Sequence, residues 1–170
     1  MHWLTGKFLE SISSNQAMGL DIGCGTKQWN EYFKCDYIGI DIKFNSKADI
    51  LASATNLPFS DNTFSFISIF SVIEYIEDDE KVLDEIYRVL KPSGKLLLIS
   101  QNERATKANI KNDPSKSKLH KHIYNLKQIN KKLNQHNFKL INYKYPKLSL
   151  WGLYYYLTSV YFFTISKAKK

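Results

Sequence analysis

The stretch Leu20-Asp21-Ile22-Gly23-Cys24-Gly25-Thr26 decides how this 170-residue chain folds. An apolar run that ends in two closely spaced glycines is typical of a buried strand that delivers the chain into a tight turn. Glycine has no Cβ, so the main-chain amides of Gly23 and Gly25 can approach a ligand closely. We therefore predict a first strand near residues 18–22, followed by a ligand-binding loop.

A second short apolar run, Tyr37-Ile38-Gly39-Ile40-Asp41, ends in an acid. This acid follows the glycine loop by about 20 residues, the spacing at which dinucleotide-type folds place a carboxylate on the hydroxyl groups of a ribose. The glycine loop and Asp41 together predict a site for a ligand that contains a nucleoside.

Three later segments complete an ordered set of motifs. They are Asn56-Leu57-Pro58-Phe59-Ser60-Asp61-Asn62-Thr63-Phe64, Val72-Ile73-Glu74-Tyr75-Ile76 and Glu85-Ile86-Tyr87-Arg88-Val89-Leu90-Lys91-Pro92-Ser93-Gly94. The whole set resembles the motifs of class I S-adenosylmethionine (SAM) methyltransferases, in the small-molecule group that includes the quinone and glycolipid enzymes. The similar blocks run from about residue 20 to residue 100, with a weaker similarity over residues 122–138.

The resemblance implies an α/β fold, a Rossmann-like three-layer sandwich around a mostly parallel seven-stranded sheet with an antiparallel last strand. We expect a single domain over residues 1–170, because a chain of this length buries about two-thirds of its unfolded surface. Residues 41–48 are too few for a crossover helix, since parallel strands normally need a dozen or more connecting residues. We therefore expect the second crossover helix to be missing and a third strand near residues 48–51.

Apolar periodicity predicts the remaining helices and strands. Helices are expected over residues 3–12, 27–34, 78–90 and 125–136, and strands over residues 64–70, 95–100, 138–145 and 160–166. The helix at residues 27–34 should direct its N-terminal amides at the ligand.

Two segments are harder to assign. Residues 101–121 are polar and lysine-rich and predict a long, mobile, basic loop. The uncharged stretch 148–166 is long enough to span a membrane, but its Ser/Thr content and the strand at its end argue against spanning. An interfacial helix or a core-packing aromatic connector over residues 148–157 fits better.

The resemblance implies that SAM is the cofactor. The first motif would contact its methionyl part, Asp41 its ribose, and Ser53 and Ala54 its adenine. The implied contacts are Asp21, Gly23, Cys24, Gly25, Asp41, Ile42, Ser53, Ala54, Phe70 and Ser71. Lys27 stands where related sequences commonly have a third glycine, and its ammonium group could touch the methionine carboxylate or oppose the sulfonium.

The sequence shows no decisive catalytic set. The sulfonium of SAM is a strong electrophile, so the protein mainly has to align a nucleophile with the methyl group. Glu74 and His122 are the candidate catalytic residues; Glu74 could be a base, or instead a helix cap or a salt-bridge partner. No Cys/His spacing fits a metal site, and none is expected.

Charge is distributed unevenly along the chain. Residues 1–90 carry 7 Lys/Arg and 14 Asp/Glu, whereas residues 91–170 carry 17 Lys/Arg and 2 Asp/Glu. The basic half fits either an anionic partner or a lysine-rich solvated surface. Nucleic acid is disfavoured because the Asn/Asp-Pro-Pro-aromatic motif of nucleobase methylation is absent. Two cysteines and no signal segment favour a cytoplasmic protein, with peripheral membrane contact as an option.

Two functions are consistent with these patterns. The first is a SAM-dependent methyltransferase that moves a methyl group to a small or lipid-linked acceptor by direct displacement. The second is a SAM-fold binding module or partner subunit with impaired catalysis, which Lys27, Ser53, Ser65 and the short N-terminus suggest. The short N-terminus also leaves the site open or completed by another molecule, such as a second copy of the chain.

Overall fold

The computed structural model describes residues 2–14, 17–101, 103–144 and 160–167. The helices in these ranges are α1 (His2–Ser13), α2 (Asp79–Val89), α3 (Glu103–Asn112) and α4 (Leu126–Gln135). The strands are β1 (Gly19–Ile22), β2 (Tyr37–Asp41), β3 (Ile50–Leu51), β4 (Phe64–Phe70), β5 (Leu90–Gln101), β6 (Phe138–Lys144) and β7 (Val160–Lys167). Short 3-10 turns lie at Asn30–Tyr32, Ile73–Tyr75 and Pro114–Lys118.

The strands form one sheet in the order β3-β2-β1-β4-β5-β7-β6. Neighbours from β3 through β5 are parallel, whereas β7 runs antiparallel to both β5 and β6. The strand order reverses at β1, so the carboxyl ends of β2, β1 and β4 lie side by side at one edge, where open α/β sheets bind ligands. The predicted α/β fold with a mostly parallel sheet is confirmed.

β2 and β3 are joined without a helix. Residues 42–49 contain only turns and bends. Asp49 fixes this loop, because its N–H donates to the Gly39 carbonyl oxygen at 2.8 Å and its carboxylate accepts from the Gly39 N–H at 2.7 Å. The predicted absence of the second crossover helix is confirmed in this part of the chain.

Apolar side chains cover both faces of the sheet. On one face, α2 and α4 pack against β1 and β4. The buried residues of this contact include Leu20, Ile22, Ile67, Ile69, Val82, Leu83, Ile86, Ile129 and Leu133. On the other face, Leu9 and Ile12 of α1 pack with Phe66, Leu97 and Ile99 of β4 and β5. The three layers of the predicted sandwich follow from these two contacts.

Residues 27–34 do not form the predicted α-helix. They make consecutive turns and one 3-10 turn. Lys27 has a φ of +56°, a left-handed conformation that an α-helix does not accommodate. Trp29 and Phe33 instead pack on the sheet face that α1 covers. No helix N-terminus therefore faces the glycine loop from this segment.

Residues 101–121 are largely helical, so the prediction of a long loop was wrong. α3 occupies half of the segment, and a 3-10 turn follows it. An ion pair between Glu103 and Lys107, one turn apart, supports α3. Asp113 caps the next turn by accepting from the Ser115 N–H at 3.2 Å. The high lysine content obscured these local helix signals.

The aromatic connector predicted over residues 148–157 lies outside the described residues. Its continuation from residue 160 onward forms β7, as predicted. Among the helices in the described ranges, none has the length and apolar character needed to cross a membrane.

An ion-pair network ties α4 to α2. The His136 Nδ1 lies 2.8 Å from an Asp84 carboxylate oxygen, and its Nε2 bonds Glu80. Lys132, one turn earlier, pairs with Glu80 and with buried Asp79. Partial burial lowers the pKa of His136, but the hydrogen bonds and charges of Glu80 and Asp84 outweigh burial and raise it above its ordinary value. The imidazolium form is thus favoured by the fold.

We predict that the folded chain loses stability as pH rises through the raised pKa of His136. The folded state binds the proton more tightly than the unfolded state, so this stabilisation is complete below an unfolded pKa of about 6.5 and is lost above the folded one. Urea unfolding measured from pH 5 to 9 should show the decline, and His136→Gln should make it shallower, since the raised pKa of Asp21 contributes the rest below about pH 7.

Lys127→Gln is the matched control, because Lys127 lies on the same helix and is exposed. It should keep the decline of the parent chain. An equally steep decline in His136→Gln would contradict the assignment to His136.

Candidate functional site

The glycine loop after β1 is fastened to the end of β2 by main-chain hydrogen bonds. The N–H groups of Gly23 and Cys24 both donate to the Ile40 carbonyl oxygen, at 2.8 and 3.0 Å. Gly23 has a φ of +72°, and a Cβ added there would lie 2.3 Å from a methyl group of Val72. Only glycine meets both the backbone conformation and the close approach at this position.

The Asp41 carboxylate lies at the same edge and is anchored by two main-chain amides. The Gly25 N–H donates to one oxygen at 2.9 Å, and the Lys43 N–H donates to the other at 2.8 Å. Asp41 is 8% exposed, whereas the adjacent Ile42 is 76% exposed. Gly25 has a φ of +53°, and a Cβ added there would meet no atom within 4 Å. The structure therefore brings the predicted loop and the predicted acid together beside open space.

We call the arrangement of Gly23, Cys24, Gly25 and Asp41 the glycine corner. Both cysteines of the chain are free, and Cys24 is buried in this corner. Burial, with the charges of nearby acids, raises the pKa of the Cys24 thiol to about 11. The thiol is therefore neutral near pH 7 and contributes packing rather than charge.

Asp21 lies in the sheet beside the glycine corner. It is 2% exposed, and the Ser68 hydroxyl donates to its carboxylate at 2.6 Å. Burial raises the pKa of Asp21 to about 7, against the opposing effects of the Ser68 hydrogen bond and the Lys27 charge. Its side chain thus has a partner on β4, and its contact with SAM stays a prediction.

The Lys27 side chain does not reach toward Asp41. Its Nζ lies 2.6 and 2.7 Å from the Asp49 carboxylate oxygens and 5.3 Å from the centre of the Tyr37 ring. Asp49 is bound to Gly39, which precedes Asp41 by two residues, or about 7 Å along the strand. Burial alone would raise the pKa of Asp49, but the Lys27 and Gly39 hydrogen bonds lower it. The ammonium group is therefore engaged below the glycine corner.

Ser53 and Ala54 follow β3. The Ser53 and Thr55 hydroxyl groups are 2.8 Å apart, and the Thr55 N–H donates to the Ser53 oxygen at 3.2 Å. Ala54 packs in the main core. The Ser53 side chain is occupied by a local turn, and the adenine contact of these two residues stays a prediction.

Phe70 and Ser71 mark the end of β4, the neighbour of β1. The Phe70 ring meets Trp29 edge-on, with ring centres 5.5 Å apart. Ser71 has a φ of +51°, and its N–H donates to the Ile99 carbonyl oxygen at 2.7 Å. Sequence reasoning missed Trp29, because its contact with β4 joins distant segments and leaves no local pattern.

Glu74 and His122 are neighbours through the main chain but not through their side chains. The His122 N–H donates to the Glu74 carbonyl oxygen at 3.1 Å. The His122 Nε2 lies 3.0 Å from the Glu77 carbonyl oxygen, and its ring stacks on Tyr124, whose hydroxyl bonds Asp79. Glu74 is 2% exposed and forms no salt bridge among the described residues. Burial raises the pKa of its carboxyl, and hydrogen bonding by the Glu74 and Gln101 amides and the Ser100 hydroxyl opposes that rise. Its role as a base stays a prediction.

Known proteins share the sequence blocks that build this site. Residues 20–98 match the methyltransferase domain family. An uncharacterized protein of Methanocaldococcus jannaschii is 38% identical over 88 residues, which cover 47% of this chain and 42% of that protein. The ubiquinone/menaquinone biosynthesis C-methyltransferase of Klebsiella pneumoniae is 48% identical over 50 residues, which cover 29% of this chain and 20% of the enzyme. The chain thus spans less than half the length of these relatives.

Solved structures share the fold across nearly the whole chain. A SAM-dependent methyltransferase from Methanosarcina mazei superposes with a TM-score of 0.73 at 17% identity, covering 96% of this chain and 98% of that one. A chain from a Haloferax volcanii complex that contains the Trm112 methyltransferase activator gives 0.78 at 12% identity, covering 99% and 91%. Haemonchus contortus phosphoethanolamine N-methyltransferase 2, solved with SAM, gives 0.72 at 18% identity, covering 98% and 53%.

At these identities the structural likeness shows the fold, while the domain match rests on sequence. The glycine corner, the strand order and the match over residues 20–98 together show that this chain contains a methyltransferase domain with the fold of the class I SAM-dependent methyltransferases.

Proposed function

We propose that the chain is an enzyme that transfers a methyl group from SAM to a small or lipid-linked acceptor. The observation that supports this most directly is the glycine corner, where Gly25 borders open space and its amide is bound to an anchored Asp41 carboxylate. SAM supplies a methyl group bound to a cationic sulfur. A nucleophile attacks the methyl carbon, and the electron pair of the broken C–S bond stays on the sulfur.

The residues of the glycine corner fit the two ends of the cofactor. The main chain of Gly23, Cys24 and Gly25 would pack against the methionyl part, while its N–H groups stay bound to Ile40 and Asp41. Asp41 would accept from the ribose hydroxyl groups, because each carboxylate oxygen retains acceptor capacity after its single main-chain hydrogen bond. Ile42 offers an exposed apolar side chain to the adenosyl part.

Positioning is the main contribution that the protein makes to such a transfer. Holding two reactants in a reactive geometry is worth about 7–11 kcal/mol. Phe70 and Ser71 would border the transfer position, because β4 lies next to β1 at the same edge. Ser71 adopts a left-handed conformation there, and Val72 after it packs on Gly23.

A small or lipid-linked acceptor is supported by the relatives and by the charge pattern. The Klebsiella pneumoniae relative acts in ubiquinone and menaquinone biosynthesis by name, and the Haemonchus contortus neighbour is named for phosphoethanolamine. The excess of lysine after residue 90 suits an anionic acceptor or a membrane surface. Two free cysteines suit the cytoplasm.

A second candidate function is a SAM-binding subunit that needs a partner for catalysis. It is favoured by the turn that replaces a helix after the glycine loop and by the likeness to a chain of a complex with a methyltransferase activator. Methyl transfer by the isolated chain would argue for the enzyme. SAM binding without transfer would argue for the subunit.

We predict that Asp41→Ala weakens SAM binding by at least tenfold. Each hydrogen bond to a charged group contributes about 1.5–3 kcal/mol, and 1.4 kcal/mol corresponds to a factor of ten. Isothermal titration calorimetry with SAM measures the change. Asp36→Ala removes the same charge from an exposed residue just before β2 and should bind like the parent chain. Equal affinity in Asp41→Ala and the parent would refute the assigned site.

We also predict that alanine has different effects at the two glycines of the loop. Gly23→Ala should lower the free energy of unfolding by several kcal/mol, because a left-handed φ costs about 1–2 kcal/mol and the clash with Val72 adds about 1–3. Gly25→Ala should carry only the cost of the left-handed φ. It should weaken SAM binding, because the added methyl group enters the open space at the glycine corner. Urea unfolding and calorimetry measure the two effects; a Gly25→Ala chain that is less stable than Gly23→Ala would contradict this geometry.

A further inference from the structure

Large apolar side chains are exposed to solvent along one short stretch of the chain, residues 42–51, which we call the exposed segment. Its exposed apolar residues are Ile42, Phe44, Ile50 and Leu51. Elsewhere in the described ranges, the exposed large apolar residues Tyr75, Leu119 and Ile141 stand far apart in the sequence. Single exposed apolar residues are ordinary, whereas several together mark an interaction surface. The exposed segment is therefore a candidate contact surface.

The missing crossover helix accounts for this exposure. Crossover helices cover the faces of a parallel sheet, but residues 42–49 contain only turns and bends. β3 ends the sheet on this side, and no described strand pairs with its outer edge. The apolar side chains of the connection and of β3 consequently remain in contact with solvent.

Main-chain hydrogen bonds hold the exposed segment against the glycine corner. The Lys43 N–H donates to the Asp41 carboxylate at 2.8 Å, and the Lys47 N–H donates to the Gly25 carbonyl oxygen at 2.7 Å. Between these two bonds, the Ser46 N–H donates to the Lys43 carbonyl oxygen at 3.1 Å and closes a turn that contains Phe44. The Phe44 side chain is 90% exposed. A surface that binds Phe44 therefore lies close to the proposed SAM site.

The charges around Phe44 favour an anionic surface. Lys43 and Lys47 are exposed and have no ion-pair partner among the described residues. The acids beside them are already bound, because Asp41 accepts from two main-chain amides and Asp49 pairs with Lys27. An exposed aromatic ring between two lysines suits a lipid interface, where the ring enters the acyl boundary and the ammonium groups attract anionic head groups.

The exposed segment suits a protein that adds a strand to the sheet less well. β3 contains only Ile50 and Leu51, so its outer edge offers few main-chain groups to a partner strand. Short edge strands are a common means of preventing strand addition. Phe44 also projects from a turn, and a fluid lipid interface accommodates a projecting ring without a preformed pocket.

We propose that the exposed segment is a membrane-contact site, in which Phe44 enters the interface of an anionic bilayer while Lys43 and Lys47 bind its phosphate head groups. The contact itself needs no SAM. Its consequence for substrate choice rests on the proposed function. Because the glycine corner is bonded to Lys43 and Lys47, the contact places the corner at the membrane surface, and the methyl acceptor is a lipid-linked molecule that reaches SAM from the bilayer.

The first experiment measures co-sedimentation of the full chain with phosphatidylcholine vesicles, with and without about 30% phosphatidylglycerol. The parent chain should bind the anionic vesicles and bind pure phosphatidylcholine much more weakly. Phe44→Ser should weaken binding to the anionic vesicles about tenfold, because the ring no longer leaves water. Ile141→Ser is the matched control, since Ile141 is exposed on β6 at the opposite edge of the sheet, and it should bind like the parent. Equal binding in Phe44→Ser and the parent overturns the site.

The second experiment tests the lysines with double variants in the same assay. Lys43→Gln combined with Lys47→Gln should weaken binding to the anionic vesicles about 30-fold, because each lysine near an anionic surface contributes roughly a factor of five. Lys127→Gln combined with Lys131→Gln removes the same charge at the same spacing from the exposed side of α4 and should bind like the parent. An equal loss in both double variants indicates attraction by overall charge and overturns the site. Thermal unfolding checks the fold of every variant.

Calorimetry with SAM separates this inference from the proposed function. Phe44→Ser should bind SAM like the parent chain when no vesicles are present. If the parent binds SAM but not anionic vesicles, the membrane contact is overturned and the proposed function stands. If it binds vesicles but not SAM, the contact stands, and the proposed function fails together with the lipid-linked acceptor.

Sedimentation velocity without vesicles tests the alternative of a protein interface. The parent chain and Phe44→Ser should have the same mass in solution. A dimer of the parent that Phe44→Ser breaks would assign the exposed segment to contact between two copies of the chain and would overturn the membrane contact.

Discussion

One carbonyl oxygen and one carboxylate at the end of β2 hold the whole glycine loop. The Ile40 carbonyl oxygen accepts from Gly23 and Cys24, and the Asp41 carboxylate accepts from Gly25. Three successive amides are thereby bound to a neighbouring strand. This constraint requires positive φ at both glycines, and it places the open side of Gly25 beside the acid. The position of the loop relative to the acid is set by the protein itself, before any ligand binds.

Hydrogen bonds of Asp49 stabilise the short connection between β2 and β3. Asp49 replaces part of what a crossover helix would supply, since it binds both main-chain groups of Gly39 and pairs with Lys27. The Lys27 side chain packs over Gly39, where a Cβ would approach its stem within 2.9 Å. Lys27, which the sequence analysis placed near the cofactor, thus stabilises the connection between β2 and β3 below the site.

The uneven charge distribution along the chain contributes to ion pairs within the fold. Lys132 and His136 come from the basic half and bind Asp79, Glu80 and Asp84 of the acidic half. These contacts join α4 to α2 on the face of the sheet that carries most of the core. Part of the charge asymmetry therefore stabilises the fold, and Lys107, Lys116 and Lys121 of the basic half form ion pairs as well.

The sequence by itself determined the sheet, because glycine turns, apolar runs and short connections act locally. The ends of β1 and β2, the missing crossover and the helix after Asn125 could all be predicted for this reason. It did not determine the turn at Lys27, whose φ is left-handed, or the helix α3, whose lysine-rich sequence was read as a loop. Only the tertiary structure decided that Lys121 and His122 bind the Glu74 carbonyl oxygen, because residues far apart in the chain come together through two main-chain hydrogen bonds that no local pattern records.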